Sequence, residues 1–551
     1  MDEQNYERVL RRRRYRLMRE RKRRRRKLMM IYGVILSAFF VTAVISFGHL
    51  KGAGGKEQDS GVQGSGQPGE SAKDKEEKGG IVQWVKGLLG GKDRSLATDS
   101  LPGNEAESLP AGEGLENGEP GGGTEPEGGQ AEPSETLVIG EGDSGENEPD
   151  LTTPEGRLQD LLSRAERLAA GYDYDGAAAL LLGDSEFSAS EEVLAAVANY
   201  EAIKGTLVRQ DISQIPHVFF HSIIMDTAKA FDGDDRESGY NQVMTTKSEF
   251  EKMLLEMYNR GFVLVRLHDM AHEETDETGA KKMVKGEIML PEGKKPIVMS
   301  QDDVCYYEYM DGDGFASRMV VGADGKPACE MKMDDGSVAV GSFDLVPLLE
   351  DFIQEHPDFS YKGARAVIAF TGYEGILGYR TAADYKDKNP NYEADRQQAA
   401  AVAQCLRDNG WELASHSWGH RDLGKIEMEN FIADTDKWEA EVESLIGPTD
   451  IILYPFGADV ADWHSYSFDN ERFAYLYNVG FRYFCNVDSS QNWVQLGDTY
   501  LRQGRRNLDG YRMWMDIAAN QEGGSGKRRL DDLFNSEDIF DPARPTPVVW
   551  E

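Results

Sequence analysis

Apolar residues form short uninterrupted runs in the second half of the chain, and longer segments with helical spacing separate them. A short continuous run bounded by turn residues is typical of a strand that is buried on both faces. Seven runs have this character: 217–223, 262–267, 296–304, 364–372, 411–416, 450–457 and 481–488. Their alternation with helical segments predicts a parallel α/β architecture, either a sheet or a barrel.

The predicted helices carry recognisable end signals. In 245–261, Thr246 stands three residues before Glu249 in a capping-box pattern, and Gly261 follows the last periodic position. Further helices are predicted at 343–356, 392–410, 427–447 and 470–480. A hairpin predicted at 317–333 interrupts the alternation of strands and helices.

A separate helical region precedes the strands. One face of its first predicted helix carries Leu158, Leu161, Leu162, Ala165 and Leu168. Two shorter helices are predicted at 171–183 and 190–208, and the stretch Tyr172–Leu182 resembles a tetratricopeptide-type helical hairpin. Because superhelices of that type need about three repeats, residues 151–212 are either a small cap on the next domain or a module that binds a protein partner.

Residues 28–50 contain no Asp, Glu, Lys or Arg, and as a helix they would span the roughly 30 Å hydrocarbon core of a membrane. Residues 1–27 carry fourteen Lys or Arg against four Asp or Glu. Positive charge on one flank predicts a cytoplasmic N terminus and an extracellular C-terminal bulk. A cleaved signal peptide is the alternative, although no cleavage motif closely follows the apolar run. We therefore expect a single-pass protein of the cell membrane.

Composition limits the possible partners. The formal net charge is −36, and residues 51–150 consist mainly of Gly, Glu, Ser and Pro. Such a segment buries too little apolar surface to fold and is predicted to be a disordered tether. The basic block 21–27 would suit nucleic acid if it stood alone, but it adjoins the apolar segment, and an acidic ectodomain repels phosphates. Nucleic acid is therefore not expected as a partner.

The cysteines indicate neither a disulfide framework nor a zinc ribbon. The four positions are scattered without CxxC spacing: Cys305, Cys329, Cys405 and Cys485. We predict that all four are buried thiols, with a bridge between Cys305 and Cys329 as the alternative.

Residues that can carry chemistry follow several predicted strands. In parallel α/β folds the carboxyl ends of the strands meet on one side, and active sites lie there. The residues at those ends are Asp302, Asp303, His416, His420, the turn 454–457 and Asp488. Two histidines four positions apart can bind one metal ion if the second begins a helical turn, and a carboxylate would complete a catalytic site with open positions. Taken alone, two histidines at this spacing on a helix more often lie on the surface than bind a metal, and the adjacent aspartates are also a weak signal.

Together these motifs resemble those of the NodB-homology polysaccharide deacetylases, carbohydrate esterase family four, over residues 216–515. "SQDDV" is similar to the first family motif, "HSWGH" to the second, "LYPFG" to the third and "VDSSQNW" to the fourth. The resemblance implies a distorted (β/α)7-type barrel. It also implies that Asp302 is the general base and that Asp303, His416 and His420 bind a divalent metal, Zn²⁺ or alternatively Co²⁺, Ni²⁺ or Mn²⁺.

The resemblance implies further roles around the reacting group. A backbone N–H near Tyr454 would stabilise the oxyanion of the tetrahedral intermediate. The residues assigned to substrate binding are Pro455, Phe456, Asp488, Trp493 and Arg505.

Two departures from the family pattern affect catalysis. Leu453 stands where the family has an arginine that orients the base, and no histidine matches the acid of the fifth motif. Arg505 or Arg506 is expected to replace the lost positive charge near Asp302. His221, at the end of the first predicted strand, either replaces the missing acid or is a hydrogen-bonded core histidine.

The implied function is metal-dependent removal of N-acetyl groups from extracellular or cell-wall amino-sugar polymers, such as an N-acetylated polysaccharide or peptidoglycan. The alternatives are a catalytically impaired domain that binds glycan or acts as a scaffold, and a different metal-dependent amide or ester hydrolase. The predicted organisation is a basic segment 1–27, a transmembrane helix 28–50, a tether 51–150, a helical subdomain 151–212, a deacetylase-like domain 213–515 and a tail 516–551.

Overall fold

The computed structural model of the chain describes residues 149–462, 464–488, 492–520 and 527–550. The basic segment, the apolar segment 28–50 and all but the last two residues of the predicted tether lie outside the described residues. Within the part that is described, no helix is long and apolar enough to cross a membrane.

Seven parallel strands close into a barrel. They are β1 (His217–Phe220), β2 (Lys295–Gln301), β3 (Val367–Phe370), β4 (Glu412–Ser415), β5 (Ile451–Leu453), β6 (Tyr483–Val487) and β7 (Leu501–Asn507). Hydrogen bonds join them in the order β3-β4-β5-β6-β7-β1-β2, and β2 pairs back to β3. The predicted α/β barrel is confirmed, and ring closure removes the exposed edges of an open sheet.

One predicted strand lies outside the ring. Strand Phe262–Leu264 pairs with the first three residues of β2, whereas β3 pairs with its last two. Along the same edge of β2, the first half therefore pairs with Phe262–Leu264 and the second half pairs with β3. The seventh place in the ring belongs to β7, which the hydrophobic pattern did not predict because it contains Arg502, Arg505 and Arg506.

Helices surround the barrel. They are Thr227–Ala230, Glu237–Val243, Lys247–Asn259, Leu267–Met270, Leu345–Glu355, Tyr392–Asp408, Met428–Trp438, Ser444–Ile446, Glu471–Val479, Gly510–Asn520 and Ser536–Ile539. The capping box predicted at Thr246 and Glu249 is present at the start of Lys247–Asn259. The predicted hairpin is also present, in a sheet of the antiparallel strands Arg318–Val321, Pro327–Lys332 and Val338–Gly341. Shorter strands are Val208–Arg209, Ile223–Ile224, Thr245–Thr246, Ala271–Thr275, Lys281–Lys285, Met289–Leu290 and Trp493–Leu496.

Both faces of the barrel strands are buried, and β5 shows how. Ile451 and Leu453 belong to a cluster formed mainly by strand residues, whereas Ile452 and Tyr454 pack in the cluster that includes the surrounding helices. Alternate side chains of a strand point to opposite faces, so both faces require apolar residues. This is why the barrel strands other than β7 appear in the sequence as continuous apolar runs.

Three helices precede the barrel: Pro154–Ala170, Tyr174–Leu182 and Glu191–Lys204. They share a small apolar core. The Tyr172 hydroxyl donates to the Asp358 carbonyl at 2.9 Å, and the Lys362 N–H donates to the Gly171 carbonyl at 2.7 Å. These bonds join the helical region to the domain that follows.

The C-terminal segment is part of the folded domain. Helix Gly510–Asn520 runs across the boundary predicted at residue 515. Further along, the fully buried side chains of Arg544 and Glu249 form two hydrogen bonds, at 2.6 and 2.7 Å. All four cysteines are free and buried, so the prediction of buried thiols is confirmed and the alternative bridge does not form.

The pH dependence of stability is expected to involve His268 at the amino end of the barrel. Its Nδ1 contacts the Glu412 carboxylate, and its Nε2 lies 3.1 Å from Asp450 Oδ1. Burial lowers the pKa of His268, but these two carboxylates outweigh burial and raise the pKa from 6.5 to about 11. The folded protein therefore keeps a proton that the unfolded chain releases.

Stability from this contact is fully present below pH 6.5 and is lost as the pH rises towards about 11. His268→Gln should therefore flatten the fall in Tm of the full chain across the alkaline range. His272→Gln is the matched control, because that exposed histidine pairs with exposed Glu274. An unchanged alkaline slope in His268→Gln would contradict the assignment.

Candidate active site

A cavity of about 730 Å³ opens at the carboxyl ends of the barrel strands. Its wall includes Asp302 and Asp303 after β2, His416 and His420 after β4, and Phe456 after β5. Parallel strands deliver these residues to one place because their carboxyl ends all face the same side of the barrel. The structure thus brings together residues from the first three sequence motifs.

Asp303, His416 and His420 form a group that can bind a metal ion, called here the metal-ligand group. One donor atom from each residue lies within 4.8 Å of the others, and His420 Nε2 is 3.5 Å from Asp303 Oδ2. The His416 Nδ1–H donates to the Leu453 carbonyl at 2.9 Å, which leaves the Nε2 lone pair free. Two imidazole nitrogens and one carboxylate are the donor set of catalytic zinc and related sites.

The backbone that positions this group is strained. Asp303, Ser417 and His420 have φ values of 58°, 58° and 48°, in the left-handed region, which costs about 1–3 kcal/mol for each non-glycine residue. Asp434 stabilises the loop 416–420 by accepting two of its N–H groups at 2.8 and 2.9 Å. The loop is not helical, so His420 does not begin a helical turn. Left-handed residues, rather than a helix, bring both rings to one point.

Asp302 lies beside the metal-ligand group and is paired with Arg505. The two guanidinium Nη atoms donate to the two carboxylate oxygens at 2.6 and 2.9 Å, and His416 Nε2 is 3.8 Å from Asp302 Oδ2. Burial raises the pKa of Asp302, but Arg505 and then His416 lower it more, so that it lies well below its ordinary value. Arg506 instead pairs with Asp532 on the other face of β7.

Arg505 is fully buried and does not line the cavity, so its assignment to substrate binding is wrong. The charge that replaces the missing family arginine comes from a different strand. Its Nη1 also donates to Ser300 Oγ at 3.2 Å, and Ser300 Oγ is 2.9 Å from His217 Nε2. His217 Nδ1 lies 3.1 Å from Gln503 Oε1. This interior network holds Arg505 in place.

His221 lines the cavity. Its Nδ1–H donates to the Val243 carbonyl at 3.1 Å, which fixes the ring and leaves Nε2 for a second partner. Asp509, also in the cavity wall, accepts hydrogen bonds from Asn507 Nδ2 at 2.6 Å and from the Arg512 N–H at 2.7 Å. Burial raises the pKa of Asp509.

Several predicted site residues lie elsewhere. Pro455, Asp488 and Trp493 are not in the cavity wall. Trp493 lies on strand Trp493–Leu496 against β7, where its ring faces Arg502 at 4.8 Å, so it packs there and does not reach the cavity. The Tyr454 N–H donates to the Cys485 carbonyl at 2.9 Å. It is therefore unavailable as an oxyanion donor.

Two tyrosines that follow the first motif contribute to the site. The Tyr307 hydroxyl donates to Asp303 Oδ1 at 2.8 Å, and Tyr309 stacks on Tyr307 with ring centroids 5.5 Å apart. Both line the cavity, whereas Tyr306 turns away to Asp344. The Tyr307 hydroxyl therefore orients the Asp303 carboxylate within the metal-ligand group.

Tyr307→Phe is expected to weaken divalent-metal affinity by about 10- to 100-fold, the usual effect of losing a partner that orients a ligand. Tyr309→Phe is the matched control, because it removes a hydroxyl from the neighbouring stacked ring without touching Asp303. Competition titration with a chelating indicator measures both variants. Equal affinities for the two would show that the Tyr307 hydroxyl does not orient Asp303.

A known protein family matches part of the barrel domain. Residues 384–473 match the family described as polysaccharide deacetylase. That segment contains His416, His420 and the turn Pro455–Gly457, whereas Asp302 and Arg505 lie outside it. A search of curated protein sequences finds no match.

Two solved structures are similar to the chain at low identity. The Streptococcus pyogenes deacetylase PplD in complex with acetate shares 11% identity over 55% of this chain and 94% of its own, with a TM-score of 0.30. The polysaccharide deacetylase described as BA0330 from Bacillus anthracis shares 13% identity over 54% and 65%, with a TM-score of 0.29. Residues 384–473 are thus similar to polysaccharide deacetylases, and the motifs around the cavity resemble those of the NodB-homology family.

Proposed function

We propose that this protein is a membrane-anchored, metal-dependent deacetylase that removes N-acetyl groups from extracellular or cell-wall amino-sugar polymers. The observation that carries the proposal is the juxtaposition of the metal-ligand group with the Asp302–Arg505 pair in one cavity. A domain that only binds glycan has no need of a carboxylate held by an arginine beside a metal site.

The donor set fits Zn²⁺, and also Co²⁺, Ni²⁺ or Mn²⁺. Asp303, His416 and His420 would hold the ion, and the Leu453 carbonyl and Tyr307 hydroxyl would orient two of those ligands. Such an ion supplies Lewis-acid polarisation of the acetamide carbonyl and lowers the pKa of water.

The protein's own groups account for the proton transfers. Asp302 accepts the proton of the attacking water, since Arg505 holds its carboxylate in place beside the metal-ligand group. The water oxygen bonds to the carbonyl carbon, and the C–N bond then breaks. His221, with a proton on each ring nitrogen at this step, delivers the Nε2 proton to the departing nitrogen, while its Nδ1–H stays on the Val243 carbonyl. Exchange with solvent then returns a proton to His221 and removes the one that Asp302 accepted. The products are acetate and a free amine.

The oxyanion donor is reassigned within the same turn. Pro455 has no N–H, so the next amide after Tyr454 belongs to Phe456, which lines the cavity. Phe456 has φ 56°, and a side chain on Gly457 would come within 2.6 Å of Val487 Cβ. This tight turn gives the Phe456 N–H a defined direction.

The membrane part of the proposal rests on the N-terminal sequence. The uncharged segment 28–50 beside a basic flank supports a single-pass anchor with the catalytic domain outside the cell. A tether of about 100 residues would reach on the order of 50–60 Å as a flexible coil, enough for an enzyme that works within the cell envelope. Loss of residues 28–50 should release the protein from the membrane fraction.

The test uses the full chain, stripped of metal by a chelator and reloaded with Zn²⁺ or Co²⁺. Acetate release is measured from N-acetylglucosamine oligomers and from peptidoglycan, for the wild type and for His416→Ala. Metal-dependent release that His416→Ala abolishes supports the proposal. Tight metal binding through His416 without acetate from any substrate would instead favour a glycan-binding domain.

A further inference from the structure

Exposed aromatic side chains are concentrated at the cavity that holds the metal-ligand group. Within the described ranges, four Phe, Tyr or Trp side chains are exposed: Tyr309, Phe456, Phe468 and Trp550. All of them except Phe468 line this cavity. Single exposed apolar residues are ordinary on a protein surface, but three aromatic rings around one opening form an apolar surface that indicates binding. The proton transfers of amide hydrolysis do not use these rings.

Two of the three rings adjoin the metal-ligand group. The Phe456 ring contacts the His420 ring, with centroids 4.5 Å apart. Tyr309 stacks on Tyr307, whose hydroxyl donates to Asp303. Both rings therefore lie close to the place where the N-acetyl group would react.

Trp550 reaches the cavity from a different part of the chain. Its ring contacts Tyr511, with centroids 5.3 Å apart and an angle of 61° between the ring planes. Tyr511 stands at the start of helix Gly510–Asn520 and also lines the cavity. Because Trp550 is 63% exposed, Tyr511 covers only part of it, and much of the indole remains open to a ligand. We call Tyr511 and Trp550 the aromatic pair.

The aromatic pair is offset around the barrel rim from the other two rings. Phe456 follows β5 and Tyr309 follows β2, whereas Tyr511 follows β7. In the order of the ring, β6 separates β7 from β5, and β1 separates β7 from β2. The aromatic pair therefore serves a different part of the cavity from the two rings beside the metal-ligand group.

The segment that carries Trp550 is fixed to the rest of the domain. The Asn241 carbonyl accepts from Arg544 at 2.9 Å, and Asn241 Nδ2 donates to the Pro545 carbonyl at 2.7 Å. Val548, two positions before Trp550, is buried. A surface that is already in place loses little conformational entropy when a ligand binds. Trp550 is thus positioned at the cavity before any ligand arrives.

The volume of the cavity favours more than one sugar. Cavities of about 300–1,000 Å³ hold drug-sized ligands, and this one, at about 730 Å³, lies within that range. A single N-acetylhexosamine is smaller than such a ligand. The cavity therefore has room for part of a second sugar ring.

We propose that Tyr511 and Trp550 form a sugar-binding subsite that holds the pyranose ring next to the unit whose N-acetyl group is removed. The proposal rests on the proposed deacetylase function and narrows its substrates to chains whose neighbouring ring presents an apolar C–H face, as a β-linked N-acetylglucosamine unit does. Trp and Tyr supply a large, rigid contact area at a low cost in conformational entropy. This contact needs no charge, so the net charge of −36 does not oppose it for a neutral chain.

The experiment varies substrate length on the metal-loaded full chain. The probes are N-acetylglucosamine, chitobiose and chitotetraose, and kcat and KM for acetate release are measured on each for the wild type and for Trp550→Ala. We expect kcat/KM on chitotetraose to fall about 10- to 50-fold in Trp550→Ala, mainly through a higher KM, as for the loss of an aromatic anchor. The advantage of chitotetraose over the monosaccharide should shrink with it. Trp550→Phe, which keeps an aromatic ring, should restore part of that advantage.

Phe468→Ala is the matched control, because it removes an exposed aromatic ring that lies outside the cavity wall. It should leave kcat and KM on all three probes unchanged. An equal loss on the monosaccharide and on chitotetraose in Trp550→Ala, or no loss on either, would overturn the subsite. A rise in activity would overturn it too, because it would show that Trp550 covers the cavity instead of binding sugar.

Calorimetric titration with chitotetraose separates this proposal from the deacetylase proposal. If no probe releases acetate, the deacetylase proposal fails, and the affinities of wild type and Trp550→Ala for chitotetraose then decide the subsite. An affinity about 10- to 50-fold weaker in Trp550→Ala supports the aromatic pair as the binding surface. Equal affinities, or no binding by the wild type, would overturn it.

Discussion

Asp302→Asn is expected to lower kcat for acetate release by about 10²- to 10⁴-fold, the usual contribution of a general base. The asparagine keeps the size of the side chain and still accepts one hydrogen bond from Arg505, but it cannot take a proton from water. Because Asp302 is not a member of the metal-ligand group, divalent-metal affinity should change little. Steady-state kinetics on the metal-loaded full chain measures the first effect, and chelator competition measures the second.

Asp303→Asn is the matched control for this prediction. The two aspartates are adjacent, but only the second belongs to the metal-ligand group. Asp303→Asn should therefore lose metal affinity and activity together, and excess metal should restore part of the activity. If Asp302→Asn is also rescued by excess metal, Asp302 acts as a ligand and the base lies elsewhere. Circular dichroism of each variant excludes unfolding as the cause.

Arg505→Met is expected to destabilise the full chain by about 3–5 kcal/mol, because it leaves the Asp302 carboxylate buried without its partner. The pair has 0% and 4% side-chain exposure and two hydrogen bonds. Activity should fall as well, since the base loses the group that fixes its orientation. Denaturant unfolding measures the free energy, and the double variant Asp302→Asn/Arg505→Met should cost less than the sum of the single changes.

Arg506→Met makes the same chemical change one residue away. Its partner Asp532 is 51% exposed, so the freed carboxylate stays hydrated. The free energy of unfolding is expected to fall by about 1 kcal/mol or less, which is typical of an ion pair with an exposed member. The kcat for acetate release should be unchanged. Similar losses in Arg505→Met and Arg506→Met would show that the Asp302 pair has no special role.

The histidine and aspartate motifs were predictable because their members are close in sequence. "HSWGH" carries both imidazole ligands, and the aspartates of "SQDDV" follow an apolar run that becomes β2. A strand end followed by polar residues predicts an active-site position in any parallel α/β fold. The local geometry was harder to predict, because a loop with left-handed residues at Ser417 and His420, rather than a helical turn, brings the two rings together.

β7 was missed for a physical reason. Its sequence, "LRQGRRN", lacks the apolar run of the other strands, yet all seven residues are buried. Arg502 pairs with Asp459 and Arg505 with Asp302, while Gln503 bonds to His217. Each charge is neutralised by a residue distant in sequence, and a pattern read along the chain contains no information about that partner.

The sequence alone determined the parallel α/β architecture and the capping box at Thr246, because each depends on periodicity or on neighbours along the chain. The scattered cysteines indicated buried thiols, and the resemblance of the motifs implied the residues of the metal-ligand group. The tertiary structure decided which arginine pairs with Asp302 and that the Tyr454 N–H is bonded to the Cys485 carbonyl. Asp302 and Arg505 are separated by 203 positions and meet only because β7 closes the barrel next to β1. Contacts of that kind are created by ring closure and packing, which no short stretch of sequence specifies.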